Sequence, residues 1–400
     1  MLYSEAVWRV IMRQKFNEYC EIISGFAFKS KDLLSEGDIP VIKIGNISNG
    51  GDVILNDNTQ YVTDDFWTIN EKYHIKKGDI LISLTGSHIN QPNSMVGRTC
   101  RSYSDKKYLL NQRAGKIIPK SNVDSNYMYY LFSSKAIKEN IVARAYGAAN
   151  QVNVSPTAIG NIKWDFPEKI QQEKMGDFLR LFDELIQNNI KRMKLLEQVA
   201  ENLYKEWFVR FRFPGYENSD FENGIPKDWK IIRLGEVIKV STGKCNRQDA
   251  EETGEYPLFD RSQEIKKSST WIKDCEAIIV PGEGTRFVPR YYVGKFNLHQ
   301  RCYCVEPIIE GTGKFLFYML KMNRYYFLSV ATGATVPSLR QNNFTLMKFV
   351  MPALDICKKY NDIVTEIFDM IENLQKKNAN LIEQRDLLLP RLMSGKLEVK

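Results

Sequence analysis

Eighteen residues of this chain occur twice. Leu181 to Gln198 (LFDELIQNNIKRMKLLEQ) aligns without a gap on Ile367 to Gln384 (IFDMIENLQKKNANLIEQ), at an offset of 186. The Phe-Asp pair and the closing Leu-(Leu/Ile)-Glu-Gln tetrad fall in register. A period this long is no solenoid; it marks a duplicated unit of domain plus helix. From Ile170 to Phe208, apolar residues recur at Met175, Leu179, Phe182, Ile186, Ile190, Met193, Leu196, Ala200, Leu203 and Trp207. The mean step is about 3.6 residues, one face of a helix. No Pro interrupts it, and at ~1.5 Å per residue it would extend roughly 58 Å. That is the length of a spacer or coiled-coil arm rather than an ordinary globular helix. In the second copy Ile367, Leu374, Leu381 and Leu388 stand at seven-residue steps, a coiled-coil seam. Lys377, Asn378 and Asn380 interrupt its apolar surface, as a solvated face or as register-setting polar residues.

The flanking sequence repeats as well. Residues 1 to about 165 read as α+β, with strand-like runs (PVIKIGNI, GDILISLTG, RAGKIIP) between Gly, Asn and Asp turns and a helix at about Ser125 to Asn140. Past a linker rich in Pro, Gly and Asn, WKIIRLGEVIKVSTGK from Trp229 parallels the segment from Trp8, setting Arg13-Gln14 against Leu234-Gly235. At a constant offset of 188, Asn111-Gln112-Arg113 matches His299-Gln300-Arg301, and YMYYLF (127–132) matches FLFYML (315–320). That match makes Tyr127, Tyr129 and Tyr130 core residues rather than platforms for stacked bases. The partition is residues 1–165, a helix over 166–210, a linker and second domain over 211–352, and a closing helix over 353–400. The loops differ between copies while the scaffold repeats.

Composition narrows the chemistry. The net charge of +8 and pI of about 8.9 favour a polyanionic partner. Glu5, Arg9 and Arg13 break up the N-terminal apolar residues, unlike a signal peptide. With no run near the ~20 apolar residues of a membrane span, the expectation is a cytoplasmic protein with free thiols. Cys302 and Cys304 form a lone Cys-x-Cys without a second pair or His cluster, so they read as strand residues rather than zinc ligands. None of the five Gly-Lys dipeptides is followed by Ser or Thr, which removes a Walker A loop. Asp-Pro-Pro and Asn-Pro-Pro are absent too. Asp249 or Asp260 with Glu264 and Lys266 loosely resembles a metal-dependent nuclease triad, which keeps a standalone endonuclease as the enzymatic alternative. A helical adaptor that binds no DNA is the third.

Two scaffolds with different loops imply two recognition surfaces. Residues suited to phosphates and base edges are Lys29, Lys43, Asn46, Ser87, Asn90, Gln91, Arg98, Arg101, Gln112, Arg113, Arg144, Gln151 and Asn153 in the first copy. In the second they are Lys244, Arg247, Arg261, Gln263, Arg286, Arg290, Lys295, Gln300, Arg301, Ser338 and Arg340. Because Gln-Arg recurs in both copies, Gln112-Arg113 and Gln300-Arg301 also suit a shared scaffold or phosphate contact.

In the order and duplication of these blocks the chain resembles the specificity (S) subunits of type I restriction-modification enzymes. LLEQVAENLYKEWFVRF, LIEQRDLLLPRLMSGKLEV, DWKIIRLGEVIKVSTG, EYCEIISGFAFKS, NIKWDFP and LMKFVMP carry the resemblance over nearly the whole length. It implies an α+β fold of two pseudo-repeated globular target-recognition domains separated by two long antiparallel, coiled-coil helices. Each domain would read one half of a bipartite, asymmetric target in double-stranded DNA. The helices would dock two methyltransferase (modification) subunits, and restriction (motor-nuclease) subunits would join through that core. The docking residues expected from the apolar stripes are Leu179, Phe182, Ile186, Ile190, Met193, Leu196, Leu203, Trp207, Ile367, Leu374, Leu381 and Leu388. S-adenosylmethionine, ATP and magnesium would serve the partner subunits, with no cofactor and no catalytic residue in this chain.

Overall fold

The periodic central stretch is a helix over Lys169–Tyr204, ending in one wider π turn at Lys205–Val209, and its repeat is a helix over Leu354–Met393. These come from a computed structural model that describes residues 13–56, 58–87, 95–148, 151–251, 253–262, 264–333 and 335–399. The chain divides into two units, Met1–Asn188 with Lys377–Lys400, and Asn189–Lys376. Each long helix thus gives one part to each unit. No helix among the described residues is long and apolar enough to cross a membrane.

In the first unit an antiparallel sheet runs in the order Cys20–Ser24, Ala114–Pro119, Ile80–Ser83, Thr99–Arg101. A second sheet runs Gln60–Val62, Ile39–Ile42, Tyr108–Leu110, His74–Ile75, and its central pair is parallel, with Val41 opposite Leu109 and Ile42 opposite Leu110. Helix Ser125–Ser133 starts where the Asp124 carboxylate accepts the Tyr127 amide at 2.7 Å, the ordinary N-cap bond. It buries Tyr127, Tyr129, Tyr130 and Phe132 in one core with Ile80, Ile82 and Ile117. The tyrosines are core residues, as their match to FLFYML requires.

The second unit keeps this plan with the same registers. Its sheet runs Ile238–Thr242, Cys302–Pro307, Lys273–Pro281, Arg290–Leu298, Tyr256–Phe259, Lys266–Ser268. The parallel pair recurs 188 residues on along one strand, with Leu258 opposite Asn297 and Phe259 opposite Leu298. Arg290–Leu298 is one strand here, so the two sheets of the first unit are fused into one. The entry to the repeat needs a correction. Phe16 donates its amide to Ile162 O, as Leu234 does to Met347 O, and Glu18 and Glu236 cap the two turns identically. Phe16, not Arg13, is therefore the counterpart of Leu234, and residues 1–12 lie outside the described ones.

Inside each unit the helix segments run antiparallel. In the first, Met175 and Leu179 share a core with Leu389 and Leu392, and the Asn378 amide donates to Ile186 O at 3.4 Å. Asn378 is buried, so it sets register rather than forming a solvated face. In the second, the Tyr360 hydroxyl donates to Ala200 O at 3.1 Å within an aromatic cluster that includes Tyr204, Trp207 and Phe208. The expected docking stripe is thus mostly consumed internally. Leu179, Ile186, Trp207, Ile367 and Leu374 are buried, and Phe182, Ile190, Met193, Leu196, Leu203, Leu381 and Leu388 are half-buried. A strongly apolar stripe is the one a chain buries first against itself.

A buried ion pair joins the helices of the first unit. Asp183 accepts from Arg385 at 2.6 Å, from Tyr130 at 2.7 Å and from Tyr103 at 3.3 Å. Removing Asp183 leaves Arg385 with only the exposed Asp386 carboxylate, and breaking a buried pair costs ~3–5 kcal/mol. Asp183→Ala should therefore destabilise the chain by about that amount in chemical denaturation. Asp183→Leu combined with Arg385→Met, which removes both charges, should recover most of the loss.

Candidate nucleic-acid interface

The tripeptides Asn111-Gln112-Arg113 and His299-Gln300-Arg301 are the same turn built twice. The first residue is buried, and its side chain accepts the amide of the third: Asn111 Oδ1 from Arg113 N at 3.3 Å, His299 Nδ1 from Arg301 N at 3.0 Å. Burial, together with the neighbouring Arg261, pushes the His299 imidazole below its usual range and keeps it a neutral acceptor. Gln112 N donates to Phe26 O and Gln300 N to Cys245 O, both at 2.9 Å. The carbonyls of Arg113 and Arg301 accept from Leu84 N and Gly282 N. Beneath the turns lie Gly25 and Gly243, where a Cβ would sit 2.3 Å from Leu110 O and 1.8 Å from Leu298 O, so only glycine fits. With the backbone held on every side, the Gln and Arg side chains point into solvent, and all four are exposed. The repeated tripeptide is both scaffold, through its backbone, and presented surface, through its side chains.

Around this turn the first unit places Lys43, whose ammonium is held below its ordinary pKa by burial and by the nearby Arg113 and donates to Gln60. Asn153 accepts from Thr85 Oγ1 at 2.8 Å, fixing the hairpin on which Gln151 is exposed. Lys29 and Arg144 are exposed, the latter bonded to Asn140 O of the helix that precedes it, Lys135–Val142. Ser87 and Arg98 are half-buried. Asn90 and Gln91 lie outside the described residues, as does Gln263 in the second unit.

Three expected readers are structural instead. Asn46 is buried, donating to Ile54 O and Thr59 Oγ1 at 2.9 Å each, so it closes its own loop. Arg101 is buried across the Tyr129 ring at 4.4 Å and donates to Asn126 Oδ1 at 2.8 Å and Ser125 O at 3.1 Å. Arg290 lies over Phe259 at 5.0 Å and donates to Ser262 O at 2.9 Å and Asp260 O at 2.5 Å. In each case the polar atoms that would read a base are spent inside the domain.

In the second unit Glu283 organises the surface. It accepts from Arg261 at 2.5 Å and also from Arg301, and Glu283 and Arg261 line a cleft of about 280 Å³ with Asp260, Ser262, His299 and Val336. Ser338 bridges to Glu283, in the register that Asn153 keeps with Thr85. An acidic residue between two arginines fixes their direction, and residue type alone does not mark it, because it carries the charge opposite to that of a phosphate contact. The readable signal was its match to Thr85 in GDILISLTG. Gln300 donates to Asn246 Oδ1 at 2.7 Å, and Lys295 sits 4.9 Å over the exposed Trp271 ring. Lys244, Arg286 and Arg340 are exposed, and Arg247 begins the turn Arg247–Asp249.

The nuclease alternative fails on geometry. Asp260 Oδ1 accepts from Ser262 N at 2.7 Å and Oγ at 2.5 Å, and Oδ2 accepts from Lys266 at 2.6 Å. Burial pushes its carboxyl up, but these bonds outweigh that and hold it below its ordinary range. Its carboxylate is fully engaged, Glu264 is exposed, and Asp249 caps the Asn246 amide.

The sequence pattern of the type I restriction modification DNA specificity domain matches residues 12–199 and 226–384. The chain belongs to that family. A specificity subunit of this kind recognises a DNA sequence as part of a restriction-modification assembly, with catalysis left to other subunits. The type I restriction enzyme MjaIX specificity subunit of Methanocaldococcus jannaschii is 25% identical over 91% of this chain and 88% of its own length. The EcoDI specificity subunit of Escherichia coli is 31% identical, over 43% of this chain and 39% of its own. The crystal structure of an S subunit from M. genitalium shares the fold, with a TM-score of 0.51 at 16% identity, over 96% of this chain and 97% of that one.

The buried and presented arginines of this specificity subunit should separate cleanly. Arg113→Ala and Arg301→Ala should leave thermal stability nearly unchanged, within ~0.5 kcal/mol, while weakening target DNA by ~1–3 kcal/mol each. Arg101→Ala and Arg290→Ala should lower stability first. Melting curves and DNA titrations on the same four variants check this.

Proposed function

We propose that the Gln-Arg turn and the loops around it form a DNA-reading face in each unit, and that each face reads one half of a bipartite, asymmetric target. The observation that carries this is the clamped turn, built identically twice, with unlike neighbours: Lys43, Gln151 and Asn153 in one unit, Arg261, Glu283 and Ser338 in the other. Arginine suits guanine, glutamine suits adenine, and an acid suits the cytosine amino group. Unlike neighbours on one scaffold therefore mean unlike half-sites. The net charge of +8 supplies the phosphate attraction common to both.

Modification subunits dock, in this proposal, on the helix faces that stay in water. In the first unit these carry Leu181, Leu185, Ile382 and Leu387, each 40–61% exposed. In the second they carry Leu195, Val199, Ile363 and Met370, each 42–60% exposed. Exposed apolar rows of this kind mark partner surfaces.

Exchange of the second-unit loops over about 240–300 for those of a relative, in the assembled methyltransferase, should change one half of the methylated sequence and keep the other. A change in both halves would refute two independent readers. Binding of the assembled enzyme should also fall steeply with salt, because phosphate contacts release counterions. For docking, Leu185→Glu and Leu195→Glu should abolish co-purification with the modification subunit while the chain keeps its melting temperature. Leu179→Glu, on the buried stripe, should unfold it.

A further inference from the structure

Folding brings together what the sequence kept apart. Cys275, on strand Lys273–Pro281, meets Cys304 and Glu306 of strand Cys302–Pro307, with their two sulfurs and a carboxylate oxygen all within 4.8 Å of one another. Cys304 is buried, and Cys275 and Glu306 are half-buried, so one side of the trio is open. We propose that Cys275, Cys304 and Glu306 bind a thiophilic divalent cation of the zinc type in the second unit.

Three observations carry the proposal. The first is geometric: thiolates around a tetrahedral zinc lie ~2.3 Å from it, hence roughly 3.8 Å apart, a contraction of about an ångström or less from the trio as it stands. The second is charge. Two thiolates and a carboxylate carry three negative charges, and the divalent ion together with the Lys273 ammonium, 2.6 Å from Glu306, balances them. The third comes from the repeat. Cys304 lies between Ser241 and Ile279 in the sheet, and the position between Ile23 and Leu81 in the first unit is Lys116. The buried Lys116 ammonium donates to His74 O at 2.9 Å and to Asp79 at 3.2 Å. One unit thus builds a cation into this position, while the other supplies two sulfurs and a carboxylate for one. On binding, both sulfurs bond the ion and their remaining thiol protons pass to solvent. A Cys-Cys-Glu set leaves a fourth position for water.

The test uses the full chain, reduced and stripped with a chelator, then titrated with Co²⁺ and with Zn²⁺. One equivalent of Co²⁺ should produce a near-ultraviolet thiolate-to-cobalt band that Zn²⁺ displaces, and Zn²⁺ should raise the melting temperature. Cys275→Ser, at a half-exposed position, should remove the band while the chain stays folded, and Cys304→Ser should remove it too. Lys273→Met, which removes the ammonium bonded to Glu306, should weaken Zn²⁺ by ~10–100-fold, the usual cost of an outer partner. Cys245→Ser should change nothing. A titration without the thiolate band, a band that survives Cys275→Ser, or a chain that forms a Cys275–Cys304 disulfide and takes up no metal would overturn the proposal.

Discussion

Everything presented by either unit depends on one clamp, the hydrogen-bonded turn under Gln-Arg. Its amides and carbonyls are taken by neighbouring strands, its third amide is capped by the side chain of its first residue, and a glycine permits close approach from below. A loop whose backbone is held in this way tolerates exchange of its exposed side chains at little cost in stability. That separation lets one scaffold present two different sets of side chains. It also explains why Asn111 and His299, chemically different, occupy the same position. Both supply one acceptor for an amide, and a neutral imidazole serves as well as a carboxamide.

Much of this was legible beforehand because duplication exposes what a scaffold requires. The offset of 188 located the repeated Gln-Arg turn and the burial of the tyrosines, since two copies must satisfy the same core. What escaped was the fate of individual polar side chains. Asn46, Arg101 and Arg290 have the composition of DNA readers, yet each finds carbonyls, hydroxyls or rings inside its own domain. Residue type says what an atom can bond, not whether a closer partner has claimed it. Glu283 shows the reverse, an acid whose role is set by the two arginines that converge on it.

The helices misled for a related reason. Period 3.6 locates the most apolar face, and that face is consumed by the chain's own core. A second, thinner apolar row (Leu181, Leu185, Leu195, Val199) was visible in the sequence but weaker in contrast. In a helix that must satisfy its own fold first, the stronger stripe belongs to the fold and the weaker row is the one that stays exposed. The cysteines follow the same rule of hidden proximity. Cys-x-Cys at 302 and 304 is not the pair that meets, because alternation along a strand and the crossing of two strands bring Cys275 to Cys304 instead.

The symmetry between the halves is imperfect where charge is buried. In repeat register Asp183 corresponds to Asp369, and Arg385 to Val199. Asp183 and Arg385 form a buried ion pair, while Asp369 and Val199 are both exposed. Two first helices set antiparallel in the same register would place each Asp183 opposite Val199, without the guanidinium that Arg385 supplies. An uncompensated buried charge costs ~3–5 kcal/mol, and such a dimer would bear that cost twice. Pairing the first helix with the last removes it, because Arg385 exists only in the second copy. The apolar stripes say that these helices pair. The single ion pair says with which partner, in the way that one buried polar contact fixes register and choice in a coiled coil.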